Sequence, residues 1–154
     1  MPELRRDPIA GRWVVMDTDR PKGPGDFLKE DNVPCRQAIC PFCPGREYFT
    51  PPETDALRPQ HGGPNTAGWM VRTVPNKFPA LANTGAVGKQ GQGIFDVMSG
   101  VGAHEVIIET PDHDKGLADL SVQEMSFVIS QYQSRLRALA KDPRHKYVCI
   151  FKNF

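Results

Sequence analysis

Residues 20–68 hold most of the chain's 15 prolines, and this constrains the fold more than any other feature. Proline fixes φ and lacks an N–H donor, so neither a helix interior nor a central strand runs through such a stretch. An irregular segment this long inside a compact domain needs an anchor. Within it stands Cys40-Pro41-Phe42-Cys43-Pro44-Gly45, two thiols at the C-x-x-C spacing of a zinc knuckle, in a turn whose amides can donate to sulfur and favour thiolate. A tetrahedral zinc site takes four ligands, and there is no second C-x-x-C. Further ligands must come from Cys35, His61, His104, His113 or His145. A redox dithiol and two idle loop cysteines stay open as readings. The flanking prolines speak against the strand-to-helix junction of a thioredoxin-like motif.

A chain of 154 residues is expected to form one domain with one core, and it needs no metal merely to stay folded. With 39% hydrophobic and 24% charged residues it has material for that core, while Gly 14 and Pro 15 make it loop-rich. A net charge of +1 supplies no bulk field for nucleic acid or an anionic membrane, so neither is expected as a partner. The longest apolar runs, such as 147–151, reach only about five residues, far short of the ~20 that span a bilayer. The amino end also lacks a secretory apolar segment. A soluble, cytoplasmic protein is the expectation.

Trp13-Val-Val-Met16, Trp69 to Pro75 and Glu105 to Thr110 read as strands, the last stopped by Pro111. Residues 82–93 are Gly-rich and read as a mobile hairpin or loop. Ser121 and Glu124 form a capping box, after which Met125, Val128, Ile129, Tyr132, Leu136 and Leu139 recur at helical spacing until Asp142-Pro143. Gln123, Gln131, Ser134, Arg135 and Lys141 would form the solvated side of this helix. Residues 147–151 read as a final strand with Cys149 buried in it. The order fits an α+β fold, a sheet with a helix on one face. The basic residues Arg5, Arg6, Arg12, Arg20 and Lys22 can hold phosphate or simply face solvent, and no Walker A or G-x-G-x-x-G pattern accompanies them.

Taken together, Arg6-x-Pro8 with Trp13-Val-Val, Arg20-Pro-Lys22, Cys40 to Gly45, Val74-Pro-Asn-Lys-Phe-Pro-Ala-Leu81, Gly102-Ala-His-Glu-Val-Ile-Ile-Glu-Thr-Pro-Asp-His113 and Phe151-Lys-Asn153 resemble the amino-terminal half of the galactose-1-phosphate uridylyltransferase family, part of the histidine-triad superfamily. The resemblance spans nearly the whole chain. It implies a histidine-triad-like half, an antiparallel sheet with one long helix packed on it and a zinc-pinned loop insert. It further implies that Cys40, Cys43 and His113 are three of four zinc ligands, with the fourth a histidine after Phe154. Phe42, Val74, Asn76, Phe78 and Val106 would surround the nucleoside, Phe151 and Asn153 would approach the phosphates, and Arg20 would contact the diphosphate or sugar phosphate. Apolar side chains can sandwich a base and an amide can bond base or ribose, although Phe78 and Val106 have core packing as an equally good reading.

Members of the family use a histidine of a His-Pro-His motif to carry the uridylyl group between UDP-glucose and galactose 1-phosphate. That motif is expected beyond Phe154, so residues 1–154 read as a truncated amino-terminal domain with no catalytic residue of its own, inactive alone and part of a homodimer at full length. Two departures stand out. Lys77 follows Asn76 where many relatives carry an acidic residue, and Gly23 stands where a second arginine is frequent. Both leave room for the branch that transfers adenylyl groups, as ADP-glucose phosphorylases do. A zinc-stabilised binding module without chemistry is the reading from a different class.

Overall fold

The computed structural model describes residues 2–16, 39–59 and 62–152. In chain order its elements are β1 (Glu3–Arg6), β2 (Trp13–Met16), β3 (Asp55–Leu57), β4 (Val71–Pro75), β5 (Lys89–Gln92), β6 (Phe95–Ser99), β7 (Glu105–Ile108) and α1 (Val122–Leu139). This is the expected α+β composition with antiparallel sheets and one long helix, but the contacts divide the chain into two compact units.

One unit contains the described residues up to Ile39 together with Ala80–Gly102. Its sheet has the order β2-β1-β6-β5, antiparallel throughout. Between β1 and β2 the chain reverses because Asp7 Oδ1 accepts the Ile9 and Ala10 N–H groups at 2.8 and 3.2 Å, an Asx-type turn. β5 and β6 form a tight hairpin, Gln92 opposite Phe95, and Gly93 at φ 61° supplies the left-handed residue that such a two-residue loop demands. Part of the Gly-rich stretch 82–93 is therefore strand.

The other unit contains Cys40–Pro79 and the described residues from Ala103. Its sheet has the order β3-β4-β7, and α1 packs on β3 and β4. Every residue of β4 before Pro75 is buried, as a central strand covered on both faces must be. Side-chain alternation and the cross-strand register put Ala56, Arg72, Val74, Val106 and Ile108 on one face. There Trp69, Val74 and Ile108 form the core, with Ala56 and Val106 against it. Thr73 lies on the opposite face, and its hydroxyl accepts from Gln131 Nε2 of α1 at 2.8 Å.

The capping box forms as expected: Ser121 Oγ accepts from Glu124 N–H, and Glu124 accepts from Ser121 N–H. The side of α1 that meets the sheet differs from the expectation. Gln131 is buried, bonded to Thr73, and Arg135 makes a bidentate pair with Glu105 at 2.8 and 2.9 Å. Ser134 donates to Asp55, while Ile129 and Leu136 are exposed. Polar residues with partners on the sheet thus displace two apolar residues from the interface, because a satisfied buried polar group costs little. Residues 147–151 are a second correction. They pair with no described strand, and Cys149 is exposed rather than buried.

The described part of the proline-rich insert has an anchor that the sequence reading missed. Arg72, with 1% of its side chain exposed, donates from Nε to Glu53 Oε2 at 2.9 Å and from Nη1 to Thr50 Oγ1 at 3.0 Å. Glu53 also receives a bidentate pair from Arg58 at 2.8 and 2.9 Å. Burial pushes the Glu53 carboxyl up, but the hydrogen bonds from the two guanidiniums prevail and hold it below its ordinary value.

Candidate metal centre

The knuckle turn closes by a bond from Cys43 N–H to the Cys40 carbonyl, followed by Arg46 N–H to the Cys43 carbonyl. Gly45 sits at φ 83° with open space where a Cβ would be, so backbone conformation rather than crowding calls for glycine. Its N–H donates to Glu47 Oε1 at 3.1 Å. The imidazole comes from the opposite direction in sequence. Beyond β7, Thr110 Oγ1 accepts from Asp112 N–H and Asp112 Oδ1 accepts from Asp114 N–H, both at 3.2 Å. These two side-chain turns leave His113 facing the knuckle.

Cys43 Sγ lies 3.5 Å from His113 Nδ1, and the ligand atoms of Cys40, Cys43 and His113 all fall within 4.8 Å of one another. Zinc bonds of about 2.3 Å to sulfur and 2.0–2.1 Å to nitrogen, opened to a tetrahedral angle, separate the two donors by about 3.6 Å. The donor set and spacing therefore fit a thiolate-binding cation. Both cysteines are half-buried and His113 is exposed. Burial pushes the Cys43 thiol up, as do the bond and charge of Cys40, while Arg46 pulls it down and Asp114 adds a smaller upward push. A cation that binds both sulfurs as thiolates displaces protons.

A cavity of about 210 Å³ opens beside the group, lined by Cys40, Cys43 and His113 with Phe42, Ile108, Glu109 and Lys115 among others. Phe42 is the one residue of the expected nucleoside set on this wall. Val74 is buried in the core and Val106 packs against it from the neighbouring strand. Asn76 is held on both sides, its Nδ2 against His104 Nε2 at 3.2 Å and its Oδ1 accepting Phe78 N–H at 2.9 Å. The rings of Phe78 and Phe151 are exposed. Arg20, Asn153, Cys35 and His61 lie outside the described residues. His145 Nδ1 sits 2.9 Å from the Leu139 carbonyl, remote from the thiols in its bonding. Lys115, Glu109 and Glu47 escaped the sequence reading, since single charged residues in loops carry no periodic or spacing signal.

The whole chain, residues 1–154, matches the family described as "Galactose-1-phosphate uridyl transferase, N-terminal domain". It is 35% identical to an ADP-glucose phosphorylase of Arabidopsis thaliana, over 99% of this chain and 43% of that protein. It is 29% identical to a galactose-1-phosphate uridylyltransferase of Haemophilus influenzae, over 99% and 41% respectively. Among solved structures, an Arabidopsis thaliana ADP-glucose phosphorylase with bound ADP-glucose superposes with a TM-score of 0.55 at 30% identity, covering 96% of this chain and 41% of that one. A uridylyltransferase at 23% identity shares the fold, with a TM-score of 0.63 over 94% of this chain and 37% of its own. The chain thus spans less than half the length of the relatives it matches. Since the family description is matched from residue 1 to residue 154, the chain belongs to the galactose-1-phosphate uridyl transferase family, within its amino-terminal domain.

Proposed function

We propose that this chain is the metal- and nucleotide-binding half of a nucleotidyltransferase that exchanges a uridylyl group between UDP-glucose and galactose 1-phosphate. The observation that carries the reading is the convergence of Cys40, Cys43 and His113 beside the cavity that Phe42 lines, in a chain matched along its length by the family. Two soft thiolates with an imidazole suit zinc, and a histidine beyond Phe154 would be the fourth ligand. Zinc held there supplies a structural cross-link between the knuckle loop and the turn after β7.

The remaining roles belong to the chain's own side chains. Phe42 and Phe78 each have an exposed ring for the base, and Phe151, also exposed, is assigned to the phosphates by family resemblance. Val106 is the cross-strand neighbour of the buried Val74, and both are assigned to the nucleoside by family resemblance. Asn76 keeps a second N–H and a second lone pair for ribose or base, because each atom of its amide can make two bonds. Arg20 and Asn153 are assigned to the phosphates by family resemblance. The reactive histidine belongs to the His-Pro-His motif expected after Phe154, so no residue here is given a catalytic role. A covalent nucleotidyl-histidine lets one pocket serve two sugar phosphates in turn. Reduced thiols fit a cytoplasmic setting, and a homodimer follows from the same resemblance.

A second reading, adenylyl transfer from ADP-glucose, is favoured by the 35% identity to an ADP-glucose phosphorylase and by Lys77 in place of an acidic residue. Assaying the full protein with UDP-glucose plus galactose 1-phosphate, and separately with ADP-glucose plus inorganic phosphate, separates the two. Parallel double-reciprocal lines with the uridine pair support the first proposal, and turnover of the adenine substrate alone moves the assignment to the second. Metal uptake without sugar-nucleotide binding would overturn both in favour of a binding module.

A further inference from the structure

Glu47 is a buried carboxylate, 6% exposed, in a 3₁₀ turn (Glu47–Phe49) that begins four residues past Cys43. A buried carboxylate is costly unless its bonds are satisfied. Here one oxygen, Oε1, accepts both from Gly45 N–H at 3.1 Å and from the indole Nε1–H of Trp69 at 2.9 Å. Trp69 is itself 2% exposed and packs with Val74 and Ile108. Ile108 is the last residue of β7, directly before the turns that carry His113. A single carboxylate therefore ties the loop bearing both thiols to the core from which the imidazole departs. From this we infer that Glu47 is a positioning residue of the metal centre, holding Cys40 and Cys43 against His113 through Gly45 and Trp69 without touching the cation. The inference rests on the metal reading proposed above.

The test compares zinc affinity of the full protein, by chelator competition at 25 °C, with that of Glu47→Ala, Glu47→Gln, Trp69→Phe and the Glu47→Ala/Trp69→Phe double variant. Groups that orient metal ligands typically change affinity by about 10–100-fold. Glu47→Ala is expected to weaken zinc about tenfold and to alter the sulfur-to-cobalt absorption band at saturating Co²⁺, a readout that lowered stability alone would leave in place. Glu47→Gln keeps the Oε1 acceptor and recovers most of the affinity. The double variant is expected to be no worse than Glu47→Ala, because both changes remove the same link. If Glu47→Ala fails to fold, Trp69→Phe, which keeps a buried aromatic ring but loses the indole donor along with some ring volume, still decides the matter through both readouts. Folded variants with parental zinc affinity and an unchanged cobalt spectrum would overturn the positioning role while leaving the metal site standing. A parent protein that takes up no zinc would instead overturn the metal reading, and this inference with it.

Discussion

Glu53→Ala is expected to be among the most damaging single substitutions outside the metal ligands. It removes the carboxylate that compensates Arg72 and Arg58, whose side chains are only 1% and 11% exposed. Deleting one partner of a buried ion pair strands the other charge and costs about 3–5 kcal/mol. For a folding unit of this length that corresponds to a fall in melting temperature of about 10 °C. Lys115→Ala is the control, since Lys115 and Glu124 are 37% and 26% exposed and such pairs contribute about 0–1 kcal/mol. Melting both variants with zinc saturating, followed by circular dichroism, makes the comparison. The pH dependence sharpens it. Because the folded Glu53 carboxyl lies below its ordinary 4.5, its stabilisation is fully present above that value and is lost as pH falls through the folded value. The gap between parent and variant should therefore close in acid. A Glu53→Ala protein melting within 2 °C of the parent, an allowance of under about 1 kcal/mol, would refute the claim that this network anchors the insert.

Thr73→Val is expected to cost about 1–3 kcal/mol in urea denaturation, because it leaves the buried Gln131 amide without its 2.8 Å partner. Ser121→Ala should cost about 1 kcal/mol by loss of the helix cap. The backbone and hydroxyl bonds of Ser121, with Lys115, hold Glu124 down at about 2 against an ordinary 4.5, so the cap's pH-linked part should fade as pH drops from 4.5 toward 2. Cys40→Ala should lower zinc content well below that of the parent by elemental analysis and leave melting insensitive to a chelator.

What could be read before the structure was what is written locally. The Ser121 and Glu124 cap needs only three residues of spacing, and Cys40 with Cys43 needs only the knuckle turn. Six apolar and five polar positions in and beside α1 could be counted, and Val128 is buried as they imply, yet the face was misjudged in part. Gln131 and Arg135 turn inward because Thr73 and Glu105, far off in sequence, satisfy them. β1 was missed because Glu3-Leu-Arg-Arg6 has no apolar alternation, and its ladder comes from β2 and β6. The segment 147–151 shows the converse: an apolar run has strand character only where a partner supplies hydrogen bonds. Of the metal group, His113 was one of five candidates for the further ligands, and family resemblance singled it out. The link from Glu47 to Trp69 spans 22 residues and leaves no trace in spacing.

Zinc-edge X-ray absorption on the purified full protein, with metal content measured on the same sample, tests the central claim most directly. Stoichiometric zinc with two sulfur neighbours near 2.3 Å and nitrogen near 2.0–2.1 Å, the sulfur signal falling in Cys43→Ala, is the result expected. A folded protein whose metal has no sulfur neighbour, or that holds no stoichiometric metal, would contradict it.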